Sequence, residues 1–150
     1  MKEKRKTKVD SIIIRRKSDN HTFPDYLETK LKDGKIIESC RYSQKDYDNN
    51  TEQVEKWIEE DHERLQNYAI TWFSIGIIVE AQVSYPIDNN GNRRLEWFSS
   101  GGLWGIESDS EESYLKSIEE EETENLKEHL KQFNVDVSSF NAVEVIHKED

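Results

Sequence analysis

The fold is decided by residues 72–85, which read WFSIGIIVEAQVSY. Apolar or aromatic side chains occupy every second position from Phe73 to Tyr85, and most positions between them carry Ser, Gly, Glu or Gln. This period of two is typical of a β-strand with one face on the core and the other partly in water. Because such a strand is unusually long, we expect a bulge near Gly76.

Turn signals before and after this strand predict two hairpins. Residues 88–92 read DNNGN, which is a turn composition, so residues 93–100 are expected to return as the partner strand. Asp33-Gly34 separates two alternating segments within residues 26–42. That pair suits a two-residue type I′ turn, because both of its central residues need positive φ.

Two amphipathic helices are predicted from apolar side chains spaced at about 3.6 residues. One covers residues 51–69 and the other residues 110–133. The core stripe of the second helix consists of Leu115, Ile118, Leu126, Leu130 and Phe133. Five of the six residues from 119 to 124 are Glu, so we expect that stretch to pass through solvent.

These elements predict an α+β fold in which an antiparallel meander sheet of about four to five strands packs on the two helices. Residues 9–14 predict the first strand, and residues 137–147 a final strand or turn. We expect residues 1–10 to form a flexible basic arm, and residues 11–150 to form a single domain with an acidic C-terminal helix.

Composition and charge restrict the function classes. The chain of 150 residues is 33% apolar and 35% charged, with a net charge of −11. Residues 107–150 hold fourteen acidic and four basic residues, and such a density repels phosphate, so we expect no direct nucleic-acid binding by this half. The single cysteine, Cys40, excludes an internal disulfide and a Cys-rich zinc site, and we expect it to be buried and inert. No apolar run reaches about 18 residues, so no membrane span is expected.

Two segments carry a resemblance to a known family. Residues 72–77 read WFSIGI and residues 99–110 read SSGGLWGIESDS. With these segments the chain resembles a family of small uncharacterised proteins from phage, plasmid and bacterial genomes, over about residues 26–133. The resemblance implies a cytoplasmic protein of mobile-element origin. It implies no activity and no catalytic residue.

Four carboxylates lie within six residues at the start of the second helix: Glu107, Asp109, Glu111 and Glu112. Ser108 with Glu111, or Asp109 with Glu112, has the spacing of a capping box, and acidic residues favour the positive end of a helix dipole. The same carboxylates are also candidates for an acidic edge that binds a partner. A site for a hard cation is the third interpretation, although the spacing of a calcium loop is absent.

Trp104 and the glutamate run each admit two interpretations. The glycines around Trp104 allow its ring to fold back onto the core, or the ring is an exposed anchor for a partner. The run consists of Glu119, Glu120, Glu121, Glu122 and Glu124. It is either a solvated helix face or a mimic of nucleic acid, because carboxylates on successive helical turns are spaced on a scale similar to phosphates.

The leading hypothesis is a non-catalytic acidic interaction protein of phage or mobile-element type that needs no cofactor. It would bind the basic surface of a host protein, for example as an inhibitor that mimics nucleic-acid charge and occupies a nucleic-acid enzyme. One alternative is a small carboxylate- or metal-dependent enzyme that uses Glu107 and Asp109. Another is a self-associating structural component, in which the basic arm of one copy pairs with the acidic tail of the next.

Overall fold

The computed structural model describes residues 7–138 and 140–149, and their contacts divide the chain into two compact units. The first unit contains the described residues up to Asp19, then Ile75–Ile106 and the residues from Ser110 onward. The second contains Asn20–Ser74 and Glu107–Asp109. The expectation of one domain over residues 11–150 stays a prediction.

The chain has an α+β fold, as predicted, with three α-helices and seven strands among the described residues. In chain order these are β1 (Lys8–Ser18), β2 (Thr29–Lys32), β3 (Lys35–Ser39), α1 (Gln44–Asn49), α2 (Thr51–Gln66), β4 (Ser74–Pro86), β5 (Arg93–Ser99), β6 (Leu103–Glu107), α3 (Glu112–Gln132) and β7 (Val145–Glu149). Residues 1–6 of the predicted arm lie outside the described part of the chain, and β1 already begins at Lys8.

The first unit is built on a mixed five-stranded sheet, so the prediction of a purely antiparallel meander is wrong. β4 pairs with β1, β5 and β6, and β1 also pairs with β7. The β1–β4 and β4–β5 pairs are antiparallel, but β7 is parallel to β1, from Ile12 opposite Val145 to Arg16 opposite Glu149. The sheet is mixed because the chain returns after α3 to the far side of β1, instead of adding strands in chain order.

The expected bulge near Gly76 is not found in the β1–β4 pair. Gly76 lies opposite Lys17 in a continuous register, and the irregularity in the β1–β4 pair falls between Val9 and Ser11. The predicted hairpin of β4 and β5 is confirmed, with Gln82 opposite Trp97. The need for glycine at position 76 is therefore explained by a side chain that packs against it, and not by a bulge.

α3 covers the inner face of this sheet through a buried apolar cluster. The cluster includes Val9, Ile12, Ile14, Val79, Ala81, Val83, Leu126 and Leu130. Four of the five predicted stripe residues are buried, whereas Phe133 is 58% exposed. The expectation that residues 119–124 pass through solvent is wrong for Glu119 and Glu122, which are 7% and 6% exposed and continue the inward stripe.

The second unit contains the predicted hairpin of residues 26–42, which forms a separate two-stranded sheet from β2 and β3. Asp33 and Gly34 have φ values of 52° and 75°, in agreement with the type I′ turn. The buried side chains of α1 and α2, Tyr47, Val54 and Ile58, form its core cluster.

One short helix of the second unit is not predicted from the sequence, and the expectation for Cys40 is wrong. Residues 44–49 form α1, because Ser43 and Asp46 make a reciprocal capping box. Cys40 follows β3 directly and its side chain is exposed, not buried. Alternation along residues 35–42 therefore overestimated the length of that strand.

Ala69 has a left-handed backbone, with φ of 66° in the turn after α2. Such a conformation costs a residue with a Cβ about 1–2 kcal/mol, and glycine avoids this cost. The larger conformational entropy of glycine in the unfolded chain offsets part of the stability gained. We expect Ala69→Gly to stabilise the protein by about 0.5–1 kcal/mol in urea unfolding.

Gly34→Ala tests the same effect in the opposite direction, because Gly34 also has positive φ and a Cβ there would meet no atom within 4 Å. It should destabilise the protein by about 1 kcal/mol through the backbone alone. A loss of stability in Ala69→Gly would contradict the left-handed conformation of that residue.

Candidate functional site

The glutamate run of α3 is divided between the inner and outer faces of the helix. On the inner face, Glu119 accepts a hydrogen bond from Arg16 Nε at 3.0 Å. Glu122 accepts from the Ser100 hydroxyl at 3.3 Å and from the Asn125 side-chain amide at 2.9 Å. Both carboxylates are thus held by partners within the first unit, which offsets the cost of burying them.

Arg16 also holds the first turn of α3. Its terminal nitrogens donate to the two Glu112 carboxylate oxygens at 3.1 and 2.6 Å, a bidentate pair. These hydrogen bonds lower the pKa of Glu112. The structure therefore brings Glu112 and Glu119 together on one arginine that lies in β1, a residue that the pattern of the α3 segment alone does not reveal.

The outer face of α3 carries the remaining three glutamates of the run. Glu120, Glu121 and Glu124 are exposed, and none of them forms an ion pair within residues 7–138 and 140–149. Glu120 and Glu124 are one helical turn apart, which is about 6 Å along the axis. This is the part of the predicted acidic surface that remains open to a partner.

Trp104 lies against the glycine of β4. A Cβ built on Gly76 would be 2.1 Å from Trp104 Cε3, so only glycine leaves room for this ring. The Trp104 Nε1–H donates to the Gly101 carbonyl at 2.9 Å, and the residue remains 43% exposed. The ring thus packs on the sheet as one interpretation proposes, while its exposed part still leaves the role of anchor as a prediction.

Glu107 and Asp109 converge on Arg64 within the second unit. Arg64 Nη2 donates to Glu107 at 3.0 Å and to Asp109 at 2.8 Å, and the Arg64 guanidinium carbon lies 4.0 Å from the centroid of the Trp72 ring. The hydrogen bonds from Arg64 lower the pKa of Asp109. Burial, together with the charge of Glu107, raises the pKa of Tyr26 to about 12.

The capping boxes predicted at the start of α3 do not form. Glu111 occupies the N-cap position with an exposed side chain, and no side-chain hydrogen bond caps the helix. The Ser108 hydroxyl instead accepts from the Phe73 N–H at 2.9 Å, and the Ser108 N–H donates to the Phe73 carbonyl at 2.8 Å. The segment 107–109 is therefore an anchored connection and not a cap.

A second row of acidic side chains, on α2, is not singled out by the composition of the chain. Its members are exposed and lie at intervals of three or four residues along the helix, apart from one adjacent pair: Glu52, Glu55, Glu59, Glu60 and Glu63. The spacing is visible in the sequence, but these residues are interrupted by other residue types and so do not stand out as a run. Glu55 accepts a hydrogen bond from the Tyr47 hydroxyl at 2.6 Å.

Neither a metal cluster nor a membrane helix is found in the described residues. No group of three or more His, Cys, Asp or Glu side chains there has the arrangement to hold a metal ion. No helix in that part of the chain is long and apolar enough to cross a membrane.

No family model, curated protein or solved structure matches this chain. The resemblance of residues 26–133 to small phage, plasmid and bacterial proteins therefore stays a prediction.

The contact between Gly76 and Trp104 predicts a coupled pair of mutations. Gly76→Ala places a methyl group 2.1 Å from an atom of the Trp104 ring, which is too close for both to stay in place. The ring must therefore move, which costs about 1–3 kcal/mol. In a Trp104→Ala background the same change should cost far less. Urea unfolding of the four variants measures this coupling, and an equal cost of Gly76→Ala in both backgrounds would argue against the contact.

The pair of Arg64 with Asp109 predicts a pH dependence. Because the pKa of Asp109 is lower in the folded protein, the pair contributes stability above the unfolded pKa of about 4 and loses it as pH falls through the folded pKa. Asp109→Asn should lower stability at neutral pH and flatten the decline below about pH 5. Urea midpoints across this range measure the effect. In an Arg64→Gln background, Asp109→Asn should not change how steeply stability declines as the pH falls.

Proposed function

We propose that this chain is a non-catalytic, cytoplasmic interaction protein that binds a basic protein surface through the outer face of α3. The observation that carries the proposal is the exposure of Glu120, Glu121 and Glu124 without an ion pair in the described residues. These carboxylates have no internal role to lose when a partner binds. The net charge of −11 adds a long-range field that accelerates encounter with a basic surface.

The interaction surface is smaller than the set of acidic residues in the sequence. Glu112, Glu119 and Glu122 already have hydrogen-bond partners in the first unit. Glu107 and Asp109 are likewise held by Arg64 in the second. A partner that took any of these five carboxylates would have to break an existing contact, so the proposal rests on the outer face of α3 alone.

A basic surface that normally binds nucleic acid is the partner class that fits best. Carboxylates one helical turn apart, about 6 Å, are spaced on the same order as the phosphates of a DNA strand, about 3.4 Å of axis for each phosphate. A nucleic-acid enzyme of the host would then be occupied by the helix in place of its substrate. The mobile-element origin implied by the resemblance agrees with such an inhibitor.

Affinity capture tests this proposal. The tagged protein is incubated with lysate of its source cell at about 0.1 M salt, where surface charges still interact, and bound proteins are quantified by mass spectrometry. The variant E120Q/E121Q/E124Q should capture about tenfold less of a specific basic partner. Each exposed charge pair is worth roughly 0.5 kcal/mol, and three such pairs sum to about that factor.

The α2 row supplies the matched control. E52Q/E59Q/E63Q removes the same three charges from another exposed helix face, so its net charge equals that of the α3 variant. A nucleic-acid-binding protein retained by the wild type and by the α2 variant, and lost by the α3 variant, supports the proposal. Equal capture by all three forms, or loss with the α2 variant alone, overturns it.

A further inference from the structure

An open groove of about 520 Å³ runs between α3 and β7 in the first unit. Ile14 of β1 forms its floor and His147 lies on the β7 side. The charged residues on the α3 side are Lys116, Glu119, Glu120 and Glu124. Towards the start of α3 the groove continues into a smaller space of about 210 Å³. The volume is sufficient for several side chains of a bound segment.

β7 is an edge strand along this groove. In the described part of the chain it pairs only with β1, and all five of its residues are exposed. The Ile12 N–H donates to the Glu144 carbonyl at 3.4 Å. Because bonding alternates along a parallel ladder, the N–H and C=O groups of Val145, His147 and Glu149 point away from β1. They form a row of donors and acceptors on which another strand can pair.

We propose that β7 binds an extended basic segment of the partner protein by strand addition, with alternate Lys or Arg side chains in the groove. This inference rests on the proposed function and names the form in which the partner is recognised. The added strand would hydrogen-bond to the open side of β7. Every second side chain of it would face α3, because side chains alternate between the two faces of a sheet.

The α3 wall of the groove carries one exposed lysine, Lys116, and two exposed carboxylates, so its charge still favours a basic occupant. The Glu119 carboxylate already accepts from Arg16, so Glu120 and Glu124 are the exposed carboxylates available to a ligand there. They are one helical turn apart, about 6 Å, and alternate residues of a strand are about 6.6 Å apart. Two successive basic side chains of an added strand therefore match the two carboxylates.

A peptide probe tests the inference directly. The probe is the heptapeptide acetyl-Lys-Val-Lys-Val-Lys-Val-Lys-amide, and its affinity for the full chain is measured by calorimetry. Two further peptides carry N-methyl groups on all Lys or on all Val. In an extended strand these two sets of N–H groups point to opposite sides, so one methylated peptide should bind about tenfold or more weakly and the other like the parent.

Variants of the protein locate the binding site. His147→Pro removes an N–H that points to the open side, a position where an edge strand tolerates proline, and should weaken the parent peptide about fivefold or more. His147→Ala keeps the N–H and removes only the ring that lines the groove, so it should bind the parent peptide about fivefold or more tightly than His147→Pro does. E120Q/E124Q should weaken binding, whereas the matched E52Q/E59Q should not. Circular dichroism verifies that each variant is folded.

The outcomes separate this inference from the proposed function. Equal binding of the two N-methylated peptides, or no measurable binding of the parent peptide, overturns strand addition. Peptide binding that is indifferent to E120Q/E124Q overturns the selection of a basic segment. None of these results determines the outcome of the capture experiment, because that experiment changes only the charge of α3 and leaves β7 intact.

Discussion

The pairing of Arg16 with Glu112 and Glu119 allows an acidic helix to lie on the sheet. The inward stripe of α3 contains two carboxylates among its apolar residues, and a buried carboxylate without a partner costs several kcal/mol. Arg16 supplies that partner to Glu119 from β1 and in addition holds the first turn of the helix, while Ser100 and Asn125 supply it to Glu122. The pairing of Glu119 and the buried apolar stripe together fix the orientation of α3 about its own axis, because both require the same face of the helix to lie on the sheet.

This orientation divides the glutamate run into a buried group and an exposed group. Glu119 and Glu122 face the sheet, and their hydrogen bonds belong to the fold. Glu120, Glu121 and Glu124 are left outside, and their mutual repulsion is tolerated because water and salt screen exposed charges. A basic partner that covers them relieves this repulsion as well as adding its own attraction.

Local sequence patterns predict the individual helices, strands and turns of this chain. The features that these patterns do not predict depend on contacts between residues far apart in the chain. The period of β4, the Asp33-Gly34 turn and both long helices depend on neighbours in sequence, and the sequence alone predicts them. The parallel return of β7, the role of Arg16 in the α3 stripe and the contact of Trp104 with Gly76 depend on residues far apart in the chain. The site that we propose is accordingly smaller than the set of carboxylates singled out from the sequence, because a carboxylate with a distant partner looks the same in sequence as a free one.

The open edge of β7 also bears on whether two copies of this chain would associate. Antiparallel pairing of two β7 strands would place both α3 helices on the same face of the joined sheet, side by side, because the twofold axis of such a pair is perpendicular to the sheet. Glu120 and Glu124 of one copy would then lie near those of the other, and like charges brought together at an interface cost several kcal/mol. The acidic wall therefore opposes self-pairing of the edge in the way that charged residues protect exposed strands in other sheets. The same carboxylates attract a basic strand. They therefore disfavour pairing with a second copy and favour a different partner.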